Sequence, residues 1–511
     1  MTAEHHDEVE RKFAVDAVTR VPALHELSGV AQVAPPIELE QVATYYDTHD
    51  LRLLRAGVTL RRRTGGLDDG WHLKLPAGGD RREELRVADP STDAVPTELL
   101  DRIRGLVRDA PVIPAAVLST RRRLYRLMGE GEVVLAEFCA DHVAVEVSDG
   151  VVDDAEVAGW HEWELELVEG DEQLLDAAEP MLLGAGARPA TTRSKLARAL
   201  GQPQRQAWRA RMELGKRPTA AELLTAYLTR HLARLQDQDL LLRSGDQEGV
   251  HQLRVAARRM RSALATYVPV LPPGSTDELR EELRWLGAAL AEARDAQVLR
   301  KRLTALLEQE PDDLVLGPVR PRLDEELGRQ FRQGRAKADE ALADSRYFRL
   351  LDRLEDFIAQ PPLVEGARAP AEEVAPRLLK RDLKRLRKRQ RGFESAETGH
   401  ERDLALHEIR KAAKRLRYSA EAARPVFGKR AKRLAARAEA VQELLGEHQD
   451  SVVSRAALRE IGARAFLAGE NGFTFGRLHG AEQARAAEIE VDYPETLSRL
   501  PTGELERWLR K

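Results

Sequence analysis

The apolar residues of this chain recur with a period of two up to about residue 200 and with a period near 3.6 beyond it, so neither one sheet nor one bundle can accommodate the whole sequence. In the first stretch Val9, Arg11, Phe13 and Val15 alternate with Glu8, Glu10 and Lys12, as a strand with two unlike faces requires. Val58 and Leu60 alternate with Thr59, Arg61 and Arg63; Trp71, Leu73 and Leu75 with His72 and Lys74; Trp163, Leu165 and Leu167 with Glu164 and Glu166. Helical periodicity is confined to patches such as 97–107 and 173–183. This pattern predicts an α+β domain dominated by antiparallel strands. After residue 200 come long runs of Leu, Ala, Arg and Glu, and Thr219 with Glu222 forms a capping box that opens the first helix.

The expected organisation is a domain at 1–205, a linker at 206–218, and a helical domain at 219–511 whose halves, 219–359 and 371–511, are separated by the Pro- and Gly-containing segment 360–370. A length of 511 residues suits two to four domains. With 42% hydrophobic and 32% charged residues the chain is expected to be folded and soluble. No window approaches the roughly 18 apolar residues of a membrane span. Acidic residues Glu4, Asp7, Glu8 and Glu10 stand where a signal peptide would be basic, and a single cysteine, Cys139, excludes an intrachain disulfide framework. The expected compartment is the cytoplasm. The net charge of −4 hides an asymmetry: residues 1–200 hold 23 Lys and Arg against 37 Asp and Glu, leaving 58 against 48 in the remainder. The cationic part points to an anionic partner.

The helical halves repeat each other. HQLRVAARRMRSAL from His251 matches HEIRKAAKRLRYSA from His407, an offset of 156, and LAEARD ending at Asp295 matches LGEHQD ending at Asp450, an offset of 155. Two matches at nearly one offset indicate a duplicated helical bundle. On a helix His251, Arg254, Arg258 and Arg261 occupy an arc of about 80°, and His407, Arg410, Lys414 and Arg417 repeat it. Leu253, Ala257, Met260 and Leu264 lie opposite and are expected in the core. Lys380, Lys384, Arg387 and Arg391 extend the basic surface. A cationic stripe of this kind repels itself unless an anion compensates. Arginine at i+3 of each histidine, where a metal site would want another ligand, favours phosphate coordination.

In the first domain the charges on strand faces are sorted by type. Carboxylates pair at Glu8 and Glu10 and again at Glu164 and Glu166; cations pair at Arg61 and Arg63 and at Arg121 and Arg123, and Arg82 shares a face with Glu84. The opposite faces, with Val58, Leu60, Leu73, Leu75, Trp163 and Leu165, are apolar enough to need covering by helices. The charged faces must then line an interior. A dry interior of that charge is prohibitive, so it must be a wet cavity for a charged ligand and metal.

These residues resemble the CYTH superfamily, the triphosphate tunnel metalloenzymes. EVERK carries the E-x-E-x-K signature, followed in order by YYDT at Tyr45, LRAGVTLRRR at Leu54, WHLKLP with Lys74, REEL at Arg82, the Arg121 to Arg123 run, Asp141, WELEL at Trp163 and SKLARAL with Lys195. The resemblance covers about the first 200 residues. It implies an eight-stranded antiparallel β tunnel that hydrolyses inorganic triphosphate or a related triphosphate, an inorganic triphosphatase-like hydrolase, or in a minority of members cyclises ATP as an adenylate cyclase. It further implies that Glu8, Glu10 and Lys12 are catalytic and that Lys12, Arg61, Arg63, Lys74, Arg82, Arg121, Arg123 and Lys195 clamp phosphates. Glu8, Glu10, Asp141, Glu164 and Glu166 would bind Mg²⁺ or Mn²⁺, hard cations that take oxygen ligands.

The helical part resembles the CHAD domain, the conserved histidine α-helical domain. The H-x-x-R-x-x-x-R-x-x-R helices and the LAEARD and LGEHQD segments carry that likeness over about 219–505. It implies two pseudo-symmetric four-helix bundles whose basic groove binds inorganic polyphosphate through His251, Arg254, Arg258, Arg261, Lys380, Lys384, His407, Arg410, Lys414 and Arg417, with Asp295 and Asp450 orienting them. Location at polyphosphate granules follows from the same likeness. The alternative is a non-catalytic scaffold binding polyphosphate or RNA; 5% aromatic residues disfavour base stacking and hence nucleic acid.

Overall fold

A computed structural model describes residues 4–78, 81–88, 94–147, 159–192, 194–201, 212–245 and 248–500. Two compact units, Met1–Gln206 and Ala207–Lys511, make up the chain. In the first, ten strands are described: β1 (Glu4–Val15), β2 (Gln32–Val33), β3 (Ile37–Asp47), β4 (Thr59–Thr64), β5 (Gly70–Gly78), β6 (Arg81–Val87), β7 (Ile113–Met128), β8 (Val134–Val147), β9 (Trp160–Leu167) and β10 (Arg188–Pro189). Eight of them pair antiparallel in the order β1, β6, β5, β4, β3, β7, β8, β9, and β9 pairs back onto β1. The result is a closed antiparallel barrel; β2 and β10 add short pairings to β7 and β1.

Closure follows from the two-faced strands. Val58, Leu60, Trp71 and Leu73 are fully buried on the outward side and Leu75, Trp163 and Leu165 nearly so. Four short helices, α1 (Arg52–Arg55), α2 (Thr97–Val107), α3 (Glu172–Gly184) and α4 (Lys195–Ala199), accompany the barrel. Helix α3, N-capped by Asp171, packs Leu174, Leu175 and Leu182 with Phe13, Phe138 and Trp163. Helix α4, N-capped by Ser194, packs Leu196 and Ala199 with Tyr45, Leu118 and Val143 and thereby fixes Lys195. Asp47, in the YYDT segment, is a buried structural cap: the backbone N–H groups of Thr48, Leu53 and Leu54 donate to it at 2.7, 2.9 and 2.9 Å.

The second unit is helical: α5 (Ala220–Arg243), α6 (Gly249–Thr266), α7 (Asp277–Ala289), α8 (Ala291–Leu307), α9 (Val319–Ala343), α10 (Ser345–Ala359), α11 (Ala371–Glu394), α12 (Gly399–Ala422), α13 (Arg424–Leu467) and α14 (Phe473–Ser498). The Thr219 capping box is formed. Leu214 packs on the second-repeat core and the Ala371 N–H donates to Pro218 O, so the end of the expected linker belongs to this unit; 206–211 lie outside the described residues.

The duplication is visible as α5, α6, α7–α8 and α9 against α11, α12, α13 and α14. The first repeat is divided at Leu290 where the second runs on through Leu445, and α13 has its own break at Gly428, with φ of 50°. Each repeat has its own apolar core, and Leu253, Ala257, Met260 and Leu264 are fully buried in the first. The repeats join through α6 and α12 and through a third apolar cluster in which Leu303 and Leu323 meet Leu458 and Phe475. Between α6 and α12 Thr266 Oγ1 and Ser419 Oγ contact Asp382 Oδ2 at 3.0 and 2.5 Å, while Arg415 pairs with Asp382 Oδ1 at 2.8 Å. No helix among the described residues is long and apolar enough to cross a membrane.

Candidate functional site

The bore of the barrel is a cavity of about 290 Å³ lined by charged residues. Strand parity explains its content. From β1 come Glu8 and Lys12; from β4, Arg61 and Arg63; from β5, Lys74; from β6, Arg82, Glu84 and Arg86; from β7, Arg122 and Arg126; from β8, Glu137; from β9, Glu164 and Glu166; Glu10, Asp141 and Glu162 share the inward parity and are buried behind this lining. Lys195, at the start of α4, enters from outside the strands.

One expectation is corrected. Arg121 and Arg123 point out of the barrel, with side chains 77% and 52% exposed, and pair with Glu40 and Glu38 of β3. The inward residue is Arg122, 15% exposed: its Nε and Nη2 donate to the two oxygens of Asp141 at 2.9 and 2.7 Å, and Nη2 also reaches Glu164 at 2.6 Å. Elsewhere an apolar outer face reveals which parity is inward. Here the outer face is wet, Val42 of β3 being 44% exposed, and carries charges of its own.

The acids and bases interlock. Lys74 Nζ lies 2.5 Å from Glu8, and Lys12 Nζ lies 2.7 Å from Glu10 while also contacting Glu164. Lys195 Nζ reaches Asp141, Glu162 and Glu164 at 3.0, 2.8 and 2.6 Å. Burial opposes the charge of Glu164, yet Lys12, Lys195 and Arg122 hold it well below the usual carboxylate range. Glu84 is likewise held low against burial by Lys74, His72 and Arg61. Two groups go the other way. Burial, with Arg61 and Arg122 beside it, lowers Arg63 to about 9. Burial and the neighbouring Glu8 raise Glu166 to about 7, and Glu10 and Glu164 add to this despite Lys74. The carboxylates crowding Glu166 thus want a cation, and the cations crowding Arg63, whose Nη2 already contacts Asp68, would take a further anion.

The cation spot fits a hard divalent metal. Glu10 stands directly opposite Glu166 across the β1–β9 seam, and Glu8 Oε2 is buried with no hydrogen-bond partner among the described residues. All three offer oxygen only, as Mg²⁺ or Mn²⁺ requires. Asp141 and Glu164, with Glu162, also converge, but the ammonium of Lys195 stands among them. Sequence reasoning missed Arg86, Arg122, Arg126, Glu137 and Glu162. Arg86 and Glu162 were reachable by continuing the parity of Arg82 and Glu164.

In the helical unit the repeated basic residues meet where α6 packs on α12. Arg258 Nε donates to Tyr418 Oη at 3.0 Å, and Arg254 Nη1 donates to Asp295 at 2.9 Å and to Ala291 O at 3.2 Å. Burial, then Arg410 and Arg258, pull Lys414 down to about 7 against the influence of Asp450. Arg410 is lowered by burial although Asp450 opposes this. His251 and His407 flank the cluster, both below the usual histidine range through burial and the neighbouring Arg294 and Lys411. A cavity of about 630 Å³ nearby has Arg294, Lys301 and Arg302 together with Glu248, Glu447 and Asp450 among its lining, and of these only Asp450 was expected.

Three expected members stand differently. Arg417 is tied to Glu421 and Glu439 at 2.8 and 2.7 Å. Lys380 and Lys384 are exposed on α11, the helix whose Arg381 and Arg385 act on Arg415 rather than on Lys414. Helical geometry accounts for this: Arg415 and Lys414 are neighbours in sequence and 100° apart on α12. Arg261 is partly buried beside Arg284, Arg258 and Arg280, with its guanidinium lowered by burial and those charges.

Comparison with known proteins finds two domain families along the chain. The CYTH domain family matches residues 6–186 and the CHAD domain family residues 226–459. An uncharacterized protein of Mycobacterium tuberculosis strain H37Rv is 39% identical over 511 residues, spanning 97% of this chain and 96% of the relative. Among solved structures, PptA from Streptomyces chartreusis superposes with a TM-score of 0.47 at 20% identity, over 55% of this chain and 99% of that one. The CHAD domain from the plant Ricinus communis gives 0.41 at 24% identity, over 58% and 93%. With a closed eight-stranded barrel of charged bore, a duplicated helical unit and these two domain matches in the same order, the chain belongs to the CYTH–CHAD proteins.

Proposed function

We propose that the barrel hydrolyses inorganic triphosphate, or a related triphosphate, with Mg²⁺ or Mn²⁺, and that the helical unit binds inorganic polyphosphate. The observation that carries the first part is the bore itself: cations from β4, β5, β6 and β7 and carboxylates from β1, β8 and β9 surround one cavity of about 290 Å³. Lys12, Arg61, Arg63, Lys74, Arg82, Arg122 and Lys195 supply donors for phosphate oxygens, and the crowding of Arg63 by like charges is relieved when an anion arrives. Glu8, Glu10 and Glu166 would hold the metal, which neutralises the phosphate chain and supplies Lewis-acid stabilisation when bound.

Hydrolysis then requires water to attack the terminal phosphorus as the bridging P–O bond breaks, giving phosphate and diphosphate. The chain's own contribution is positioning and electrostatics, since phosphoryl transfer asks for little else. The guanidinium and ammonium groups of the bore stabilise the charge that accumulates on the leaving diphosphate oxygen. Fixed donors in a confined site do so without reorganising. In the helical unit Arg254, Arg258, Arg410 and Lys414 form a half-buried cationic cluster beside Asp295 and Asp450, a surplus that a polyanion offsets.

The experiment is to incubate the purified chain and Mg²⁺ or Mn²⁺ with tripolyphosphate, ATP, thiamine triphosphate or long polyphosphate, measuring phosphate and cyclic AMP together. Phosphate release from tripolyphosphate without cyclic AMP is the expected result. Cyclic AMP as the main product from ATP would replace hydrolase with cyclase. For the helical unit, polyphosphate should bind without added metal and in preference to RNA.

A further inference from the structure

We propose that Asp403 of α12, His448 of α13 and Glu490 of α14 form a second divalent metal site, of the type that takes Zn²⁺, remote in sequence from the barrel's acids and independent of the triphosphatase reading. One ligand atom from each of the three residues lies within 4.8 Å of the others. His448 Nε2 lies 3.4 Å from Asp403 Oδ1 and 3.6 Å from Glu490 Oε1. The imidazole is 2% exposed, and Nε2 has no hydrogen-bond partner among the described residues. A neutral N–H···O contact closes to about 2.7–3.2 Å, so the two carboxylates stand off further than direct bonding to the ring would leave them. Bonds of about 2.0–2.2 Å to a tetrahedral zinc place neighbouring ligand atoms about 3.3–3.6 Å apart. The two separations from His448 Nε2, 3.4 and 3.6 Å, match that edge.

The carboxylates are held for this purpose by their far oxygens. Arg402 Nε donates to Glu490 Oε2 at 2.9 Å, and Arg455 Nη2 pairs with Asp403 Oδ2 at 3.6 Å, so Oε1 and Oδ1 are turned toward His448. Outer partners of this kind orient metal ligands and set their charge. Asp403 and Glu490 are each about a quarter exposed, which leaves an entry path and room for a water as fourth ligand. One imidazole nitrogen and two carboxylate oxygens are donors that Zn²⁺ accepts, as in the His- and carboxylate-ligated zinc sites that keep a position open for water.

Duplication does not account for the constellation. The residue matching His448 in the first repeat is Ala293, since LAEARD aligns with LGEHQD. The site would clamp three helices of the second repeat one turn from His407 and two residues from Asp450, bracing the end of the basic cluster.

The test uses the full chain, stripped of metal by chelation, in a Glu10→Gln background that weakens the barrel site, with Zn²⁺ alone and then Co²⁺ alone as probes. One equivalent of Zn²⁺ should bind to Glu10→Gln, and adding His448→Ala should weaken it at least about 100-fold, beyond the 10–100-fold typical of losing only an outer partner. Co²⁺ should give a visible absorption band that the second substitution abolishes. Glu490→Gln, at a partly exposed position, serves if His448→Ala misfolds by circular dichroism, and should lose Zn²⁺ likewise. Equal Zn²⁺ affinity with and without either substitution, or no Zn²⁺ bound in the Glu10→Gln chain, overturns the proposal.

Discussion

Replacing Arg122 by alanine should destabilise the barrel far more than the same change at either flanking arginine. The Arg122 guanidinium makes two donations to Asp141, whose side chain is fully buried, and one to Glu164. Breaking a buried ion pair from one side costs about 3–5 kcal/mol, because the remaining charge stays in a poor dielectric. Lys195, 3.0 Å from Asp141 and 2.6 Å from Glu164, offsets part of this and places the expectation near 3 kcal/mol. For a unit of this size each kcal/mol moves Tm by about 2–4 °C, so the barrel transition should fall by roughly 6–12 °C. Exposed pairs are worth about 0–1 kcal/mol, so Arg121→Ala and Arg123→Ala should shift it by at most about 4 °C. Calorimetry of the full chain measures this, the barrel transition being the one that tripolyphosphate with Mg²⁺ raises. Arg122→Lys should fall between, keeping the charge but not the two-pronged contact. The reasoning fails if Arg121→Ala or Arg123→Ala matches Arg122→Ala, because a slip of one residue would then have exchanged the faces of β7.

Glu10→Gln should cut tripolyphosphate turnover at least about 100-fold with the fold intact by circular dichroism, a range common for lost transition-state electrostatics; unchanged turnover at saturating metal would remove Glu10 from the site. Arg254→Ala and Arg410→Ala should each weaken polyphosphate binding by about 1–3 kcal/mol, as charged hydrogen bonds do, with affinity falling steeply in salt; titration at two salt concentrations checks both. Lys414 is pulled down to about 7, so in the free protein it is largely neutral above that pH. A bound polyanion raises it, binding takes up a proton, and affinity should fall as pH rises through about 7; Lys414→Met should flatten that slope, and a slope that survives would assign the proton elsewhere. His251 and His407 are lowered as well, so any tightening through them should begin below the ordinary histidine value of about 6.5.

Much of the architecture was readable because periodicity is a local property. A strand with one apolar face, such as Trp71, Leu73 and Leu75, announces both its conformation and its inward side, and the matched helices at His251 and His407 announce a duplication before any coordinates exist. That logic carried Glu8, Lys12, Arg61, Arg63, Lys74, Glu164 and Glu166 to the bore, where the structure places them, and Glu10 to the wall opposite Glu166. It failed at the Arg121 to Arg123 run because three adjacent arginines carry no alternation, and the exterior of β7 there is charged rather than apolar.

What the sequence alone determined, then, was each residue's face on its own element: the parity of a strand or the arc of a helix. Which faces meet was decided only by the tertiary structure. Lys195 lies 31 residues beyond Glu164, yet it reaches into the bore because α4 packs across Tyr45 and Val143. Lys414 and Arg415 are adjacent in the chain, but packing of α12 against both α6 and α11 sends one into the cationic cluster and the other to Asp382. Asp403, His448 and Glu490 converge from three helices with no spacing motif to mark them. Charge, burial and ligand geometry depend on distances between elements, and those distances are set by how the apolar faces pack, which no local repeat encodes.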